Sequence, residues 1–130
     1  MAIPTSINSL LSGKVVEWAR IEYKETWDAA ASLKTICAFA NDLDNWGGGY
    51  IVIGVREENG KPTYPLLGIP SDKLDAYQKS IYAKCKLIRP AYTPIIGVES
   101  YQDKQFIVIW CPGGDNRPYS SPKTMDKDNK

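Results

Sequence analysis

Residues 33–55 read LKTICAFANDLDNWGGGYIVIGV, and the change of period inside this stretch decides the fold. Leu33, Ile36, Cys37 and Ala40 recur at helical spacing behind Asp28, a good N-cap, which predicts a helix from 29 to about 42. The glycine-rich turn that follows leads into GYIVIGV, residues 49–55. This run is apolar and β-branched without alternation, the pattern of a strand buried on both faces. Such a strand needs neighbours beside it and a packed layer over it.

Toward the N-terminus, residues 5–12 (TSINSLLS) predict a short helix, with Thr5 or Ser6 as cap and Ile7, Leu10 and Leu11 as its apolar edge. The segment RIEYK, 20–24, alternates strictly, so a strand there sets Arg20, Glu22 and Lys24 on one face and Ile21 and Tyr23 on the other. Toward the C-terminus, residues 56–70 (REENGKPTYPLLGIP) read as turn and loop. Ser71 or Asp72 is expected to cap a second long helix to about residue 88, with Leu74, Tyr77, Ile81, Tyr82 and Cys85 facing inward and Pro90 as the stop. Residues 95–99 and 105–111 predict two antiparallel strands. The order gives an α+β fold, a mixed sheet of about four or five strands packed with two long helices. Residues 1–13 are then an N-terminal helix and 14–112 the domain. Residues 113–130, polar and rich in proline and glycine, read as a tail leading to a further C-terminal part.

A chain of 130 residues with 43% apolar and 24% charged residues has the make-up of one ordinary globular domain in the cytoplasm. The net charge of +1 gives no long-range field for nucleic acid, so any such affinity needs a local patch. No apolar run of membrane-spanning length occurs, and the first residues lack the basic-then-apolar pattern of a signal peptide. Cys37, Cys85 and Cys111 are odd in number and set in apolar surroundings, the pattern of buried thiols rather than disulfides. There is no histidine. That removes Ser-His and Cys-His nucleophiles and His-ligated metals, leaving carboxylates, lysines, tyrosines or a hard metal.

Gly47-Gly48-Gly49 admits two readings, a backbone cradle for phosphate or a tight helix-to-strand turn; the glycines follow a helix rather than open one, which favours the turn. Glu17, Glu22 and the pair Glu57-Glu58 would converge if the strands at 19–24 and 50–55 are neighbours, and a set of carboxylates binds Mg2+ or Mn2+. A solvated acidic rim is the alternative. Lys14, Arg20 and Lys24, with Lys73, Lys79, Lys84, Lys86 and Arg89 of the second helix, would serve as a phosphate track or simply as wet-face charges. Trp18, Trp27 and Trp46 flank the charged strand and the glycine turn, placed for stacking on a base or for packing; Trp110 reads as core.

RIEYKETW, then LKTICAFANDLDNWGGGYIVIGVREENG, a later LLGI, and finally VIWCPGG with RPYSSPK together resemble the Schlafen/AlbA-type DNA-binding domain, also called divergent AAA. The similarity runs from about residue 14 to 124 and extends to bacterial transcriptional regulators and RecG-related helicase-like proteins. It implies an α+β domain followed by further C-terminal domains of the same chain. In Schlafen proteins the related core acts as a metal-dependent endoribonuclease through three acids. The resemblance carries these onto Glu17, Glu22 and Glu57, the last a glutamate where aspartate is usual, with Lys24 as the motif lysine.

Two functions follow. The first is nucleic-acid binding, DNA ahead of RNA, in a bacterial regulator, with Arg20, Lys24, Lys79 and Lys86 on phosphates. The second is a nuclease with Mg2+ or Mn2+ on Glu17, Glu22 and Glu57. A protein-interaction or oligomerisation domain, for instance a homodimer, ranks third.

Overall fold

The computed structural model describes residue 3 and residues 6–12, 20–43, 45 and 47–122. The elements are α1 (Ile7–Ser12), β1 (Arg20–Lys24), α2 (Ala29–Asn41), β2 (Gly48–Ile53), β3 (Glu57–Glu58), β4 (Lys61–Pro62), α3 (Ser71–Cys85), β5 (Ile95–Tyr101) and β6 (Lys104–Pro112). Every residue of β2 is buried, as a strand without a wet face requires. It lies inside a four-stranded sheet of order β1-β2-β6-β5. β1 runs parallel to β2, with α2 as the crossover between them, while β2–β6 and β6–β5 are antiparallel. The fold is therefore α+β on a mixed sheet, with three described helices of which two are long.

Alternation along the strands divides the core. Ile51, Ile53, Ile107 and Ile109 pack with Leu33 and Ile36 of α2 and Ile81 of α3. Tyr50, Val52, Phe106 and Val108 face the other way, onto Leu10 and Leu11 of α1 and Tyr23. Ser6 caps α1, its hydroxyl accepting from the Ser9 N–H at 3.2 Å. Asp28 caps α2 as expected, its carboxylate accepting from Ala31 N–H. At the other end Asp42 takes a left-handed conformation (φ 45°) and its N–H bonds Ala38. The Asp42 carboxylate, itself buried, accepts from Gly47 N–H at 2.9 Å and closes the turn toward β2.

The glycine run serves packing. A Cβ on Gly48 would lie 1.9 Å from the Cys111 carbonyl oxygen, and one on Gly49 would lie 2.6 Å from the Phe39 ring. These absent side chains let β2 approach β6 on one side and α2 on the other.

Several sequence expectations are corrected. Residues 56–70 are not all loop: β3 and β4 pair as a hairpin across Asn59 and Gly60. Both turn residues have positive φ, the geometry an Asn-Gly pair favours. α3 has Pro70 at its N-cap and no side-chain cap, because Ser71 is already helical. It ends at Cys85 rather than near 88, where i to i+3 bonds from Leu87 and Ile88 tighten the chain into turns. Tyr82 points outward, 46% exposed, since the inward stripe is set by Ile81 and Cys85. Trp110 is half-buried and stacks on Tyr50 with ring centroids 4.7 Å apart.

The first part of the expected tail is folded structure. Residues 113–122 form a strap across the ends of α2 and α3. Gly114 N–H donates to the Ala40 carbonyl, and Arg89 and Ser120 bond each other's backbone in both directions. Tyr119 is buried. No helix among the described residues is long and apolar enough to cross a membrane.

Candidate nucleic-acid interface

Among the described strands β1 lies at the sheet edge, and its register decides where its charges point. Arg20, Glu22 and Lys24 align with Gly49, Ile51 and Ile53, so they occupy the sheet face that α2 and α3 cover. Because β1 lies at the rim, its charges meet the flank of α2 instead of being sealed under it. Thr35 of α2 donates its hydroxyl to Glu22 Oε2 at 2.6 Å. Lys24 Nζ lies 3.7 Å from the same oxygen.

Beside this cluster, Arg20, the α2 residues Lys34, Cys37 and Ala38, and Leu43 and Ser121 line an open depression of about 500 Å3. Asn41 and Ser120 complete its wall. Burial raises the pKa of the Cys37 thiol, and a hydrogen bond with Ser121 opposes that shift. The strap is held against α2 by Asn41, whose side chain pairs with the backbone of Tyr119. Lys34, Leu43 and Ser121 were not singled out in the sequence. The available signal was the spacing of Lys34, Ala38 and Asn41, one stripe along α2.

The remaining cations are dispersed. Lys79 pairs with Asp75 one helical turn away at 3.0 Å, both largely exposed. Such a surface pair is weak and readily exchanged for a phosphate. Lys86 is exposed just past the end of α3. The Arg89 guanidinium donates to the Lys86 and Ile88 carbonyls, so it serves the helix C-terminus. The backbone bridge from Arg89 to Ser120 ties this end of α3 to the strap that walls the depression. Trp27 donates its indole N–H to Ser80 Oγ at 2.8 Å and packs on the core, a structural role.

For the acids, the strands at 19–24 and 50–55 are indeed neighbours. Glu22 lies on the α2 face. Glu57, exposed at the start of the hairpin, acts electrostatically on the phenol of Tyr23, which points to the opposite face with α1. Glu17 lies outside the described residues, as do Lys14, Trp18 and Trp46. Among the described residues no three His, Cys, Asp or Glu side chains are grouped to hold a metal. The described donors thus offer no metal centre.

A sequence model of the family described as Schlafen, AlbA_2 matches residues 17–129. The chain belongs to the Schlafen AlbA_2 family. This Schlafen AlbA_2 domain is similar in fold to the N-terminal domain of a RecG-related protein from Nitrosomonas europaea. The TM-score is 0.71 at 24% identity, covering 93% of this chain and 83% of that one. It also resembles part of the DIP2311 protein from Corynebacterium diphtheriae, with a TM-score of 0.53 at 14% identity over 85% of this chain and 23% of that one. No curated protein sequence matches this chain.

Proposed function

We propose that this domain binds nucleic acid, DNA ahead of RNA, as a module of a bacterial transcriptional regulator. The observation that carries the reading is the placement of Arg20 and Lys24 on the rim of the sheet, with Lys34 of α2 beside Arg20 across one depression. Family membership supports it, since a domain of net charge +1 needs a local cationic patch to hold a polyanion. Lys79 on α3 and Lys86 just past its end supply further, separate phosphate contacts. Contacts of this kind fix position on the backbone without reading sequence. The Glu22 carboxylate accepts from Thr35 and lies beside Lys24, contacts that support reading it as part of a charged binding surface.

Fluorescence anisotropy with labelled oligonucleotides at 50 and about 200 mM salt tests the proposal. The expected result is affinity that falls as salt rises and weakens on Arg20→Ala. Undetectable binding at the lower salt, or binding indifferent to salt, overturns it.

A further inference from the structure

The depression beside Arg20 sets cationic and apolar side chains next to each other. Its cations, Arg20 and Lys34, stand beside an apolar floor of Ala38 and Cys37 and the aliphatic side chain of Leu43. Leu43 is 89% exposed, the most exposed large hydrophobic residue among those described. No carboxylate lines this depression among the described residues. The neighbouring hollow beyond Asn41, of about 440 Å3, contains Asp42 beside Arg117 and lacks that bias. A volume of about 500 Å3 falls within the roughly 300–1,000 Å3 of small-ligand sites. The wall opposite α2 is fixed before any ligand arrives, because Asn41 and Arg89 both anchor the strap. A preformed wall lowers the ordering cost of binding.

A duplex keeps its bases stacked and presents phosphates and groove edges, which have no use for an apolar floor next to two cations. A single strand presents both an anionic backbone and an exposed base face. We propose that this depression is a subsite for one unstacked nucleotide of a single strand, its phosphate on Arg20 and Lys34 and its base over Leu43 and Ala38. The inference rests on the nucleic-acid reading above and narrows it to single strands. Lys34 and Leu43 then divide the work, one supplying charge and the other apolar contact, while Asn41 is a positioning residue.

The test is an anisotropy titration of the full chain with a labelled 12-mer DNA strand and with its duplex, repeated on Lys34→Gln and Leu43→Ser. Both substitutions are at exposed positions outside the core. The single strand should bind at least about tenfold more tightly than the duplex. Lys34→Gln should lower the steepness of log affinity against log salt by about 0.7. Leu43→Ser should weaken single-strand binding about fivefold with the salt slope unchanged. Duplex binding equal to or tighter than single-strand binding, or a Leu43→Ser protein that binds as its parent does, overturns the subsite while leaving salt-dependent nucleic-acid binding standing. If neither form of DNA binds, the broader reading fails along with the subsite.

Discussion

The carboxamide of Asn41 pairs in both directions with the backbone of Tyr119, donating to its carbonyl at 3.1 Å and accepting from its N–H at 2.6 Å. One side chain at the last turn of α2 thereby substitutes for a strand neighbour to a segment 78 residues later. Asn41→Ala leaves two partly buried backbone groups without partners, at a cost of about 1–3 kcal/mol. Urea denaturation should show this loss, and single-strand affinity should fall with it as the wall of Ser120 and Ser121 loosens. An unchanged midpoint would mean that the strap docks without the clamp.

Glu22 sets an anion on the strand face that carries Arg20 and Lys24. In Glu22→Gln the amide oxygen still accepts from Thr35 while the charge is gone. Affinity for a single strand should rise about threefold, the Coulomb effect of one charge a few ångströms away in a wet setting. Weaker binding would assign the carboxylate a direct role. Incubation with structured RNA and Mn2+ supplies the second readout: cleavage by the parent that vanishes in this variant would restore the nuclease reading.

Tyr23 links alkaline stability to α1. Its hydroxyl donates to the Leu10 carbonyl at 2.6 Å. Burial, followed by the nearby Tyr64 and Glu57, raises its pKa from 10.0 to about 12. The folded state therefore holds this proton more tightly than the unfolded chain does. The stabilisation is complete below pH 10 and is lost as pH rises through about 12. Tyr23→Phe should lower stability by about 1 kcal/mol at neutral pH and flatten the decline between pH 10 and 12. Parallel pH curves for parent and variant would contradict this.

Gly48 and Gly49 should respond differently to alanine. At Gly48, with φ +108°, the new methyl would meet the Cys111 carbonyl, backbone that cannot yield; the expected loss is about 3 kcal/mol or more. At Gly49 the obstacle is the Phe39 ring, which can shift, so roughly 1–3 kcal/mol is expected. Thermal melts of the two variants give the order directly.

The central part of this fold was legible because its elements are set by local pattern. GYIVIGV announces a strand with no wet face, and the Leu33 to Ala40 spacing announces the helix before it. The strap was not legible, because PGGDNRPYS carries no period. Its order comes from Asn41 and Arg89, which are distant in sequence. Tyr82 was misplaced because a helix resting on a sheet buries a narrower stripe than its apolar residues span. The candidate site was half legible. Alternation put Arg20, Glu22 and Lys24 on one face, whereas Lys34, Leu43 and Ser121 join Arg20 only through the parallel pairing of β1 with β2 and the return of the strap.

The three thiols have a use beyond packing. Cys85 and Cys111 are sealed in the core at 2% and 0% exposure, whereas Cys37, at 6%, also borders the depression under Ser121. A thiol reagent therefore meets two depths of the same protein. Lifting of the strap should expose Cys37 first, because it alone of the three borders the depression, with Cys85 and Cys111 following as the core opens. Labelling rates followed residue by residue would separate local breathing at the site from global unfolding. The domain thus carries a built-in gauge of how far it has opened, with no probe added.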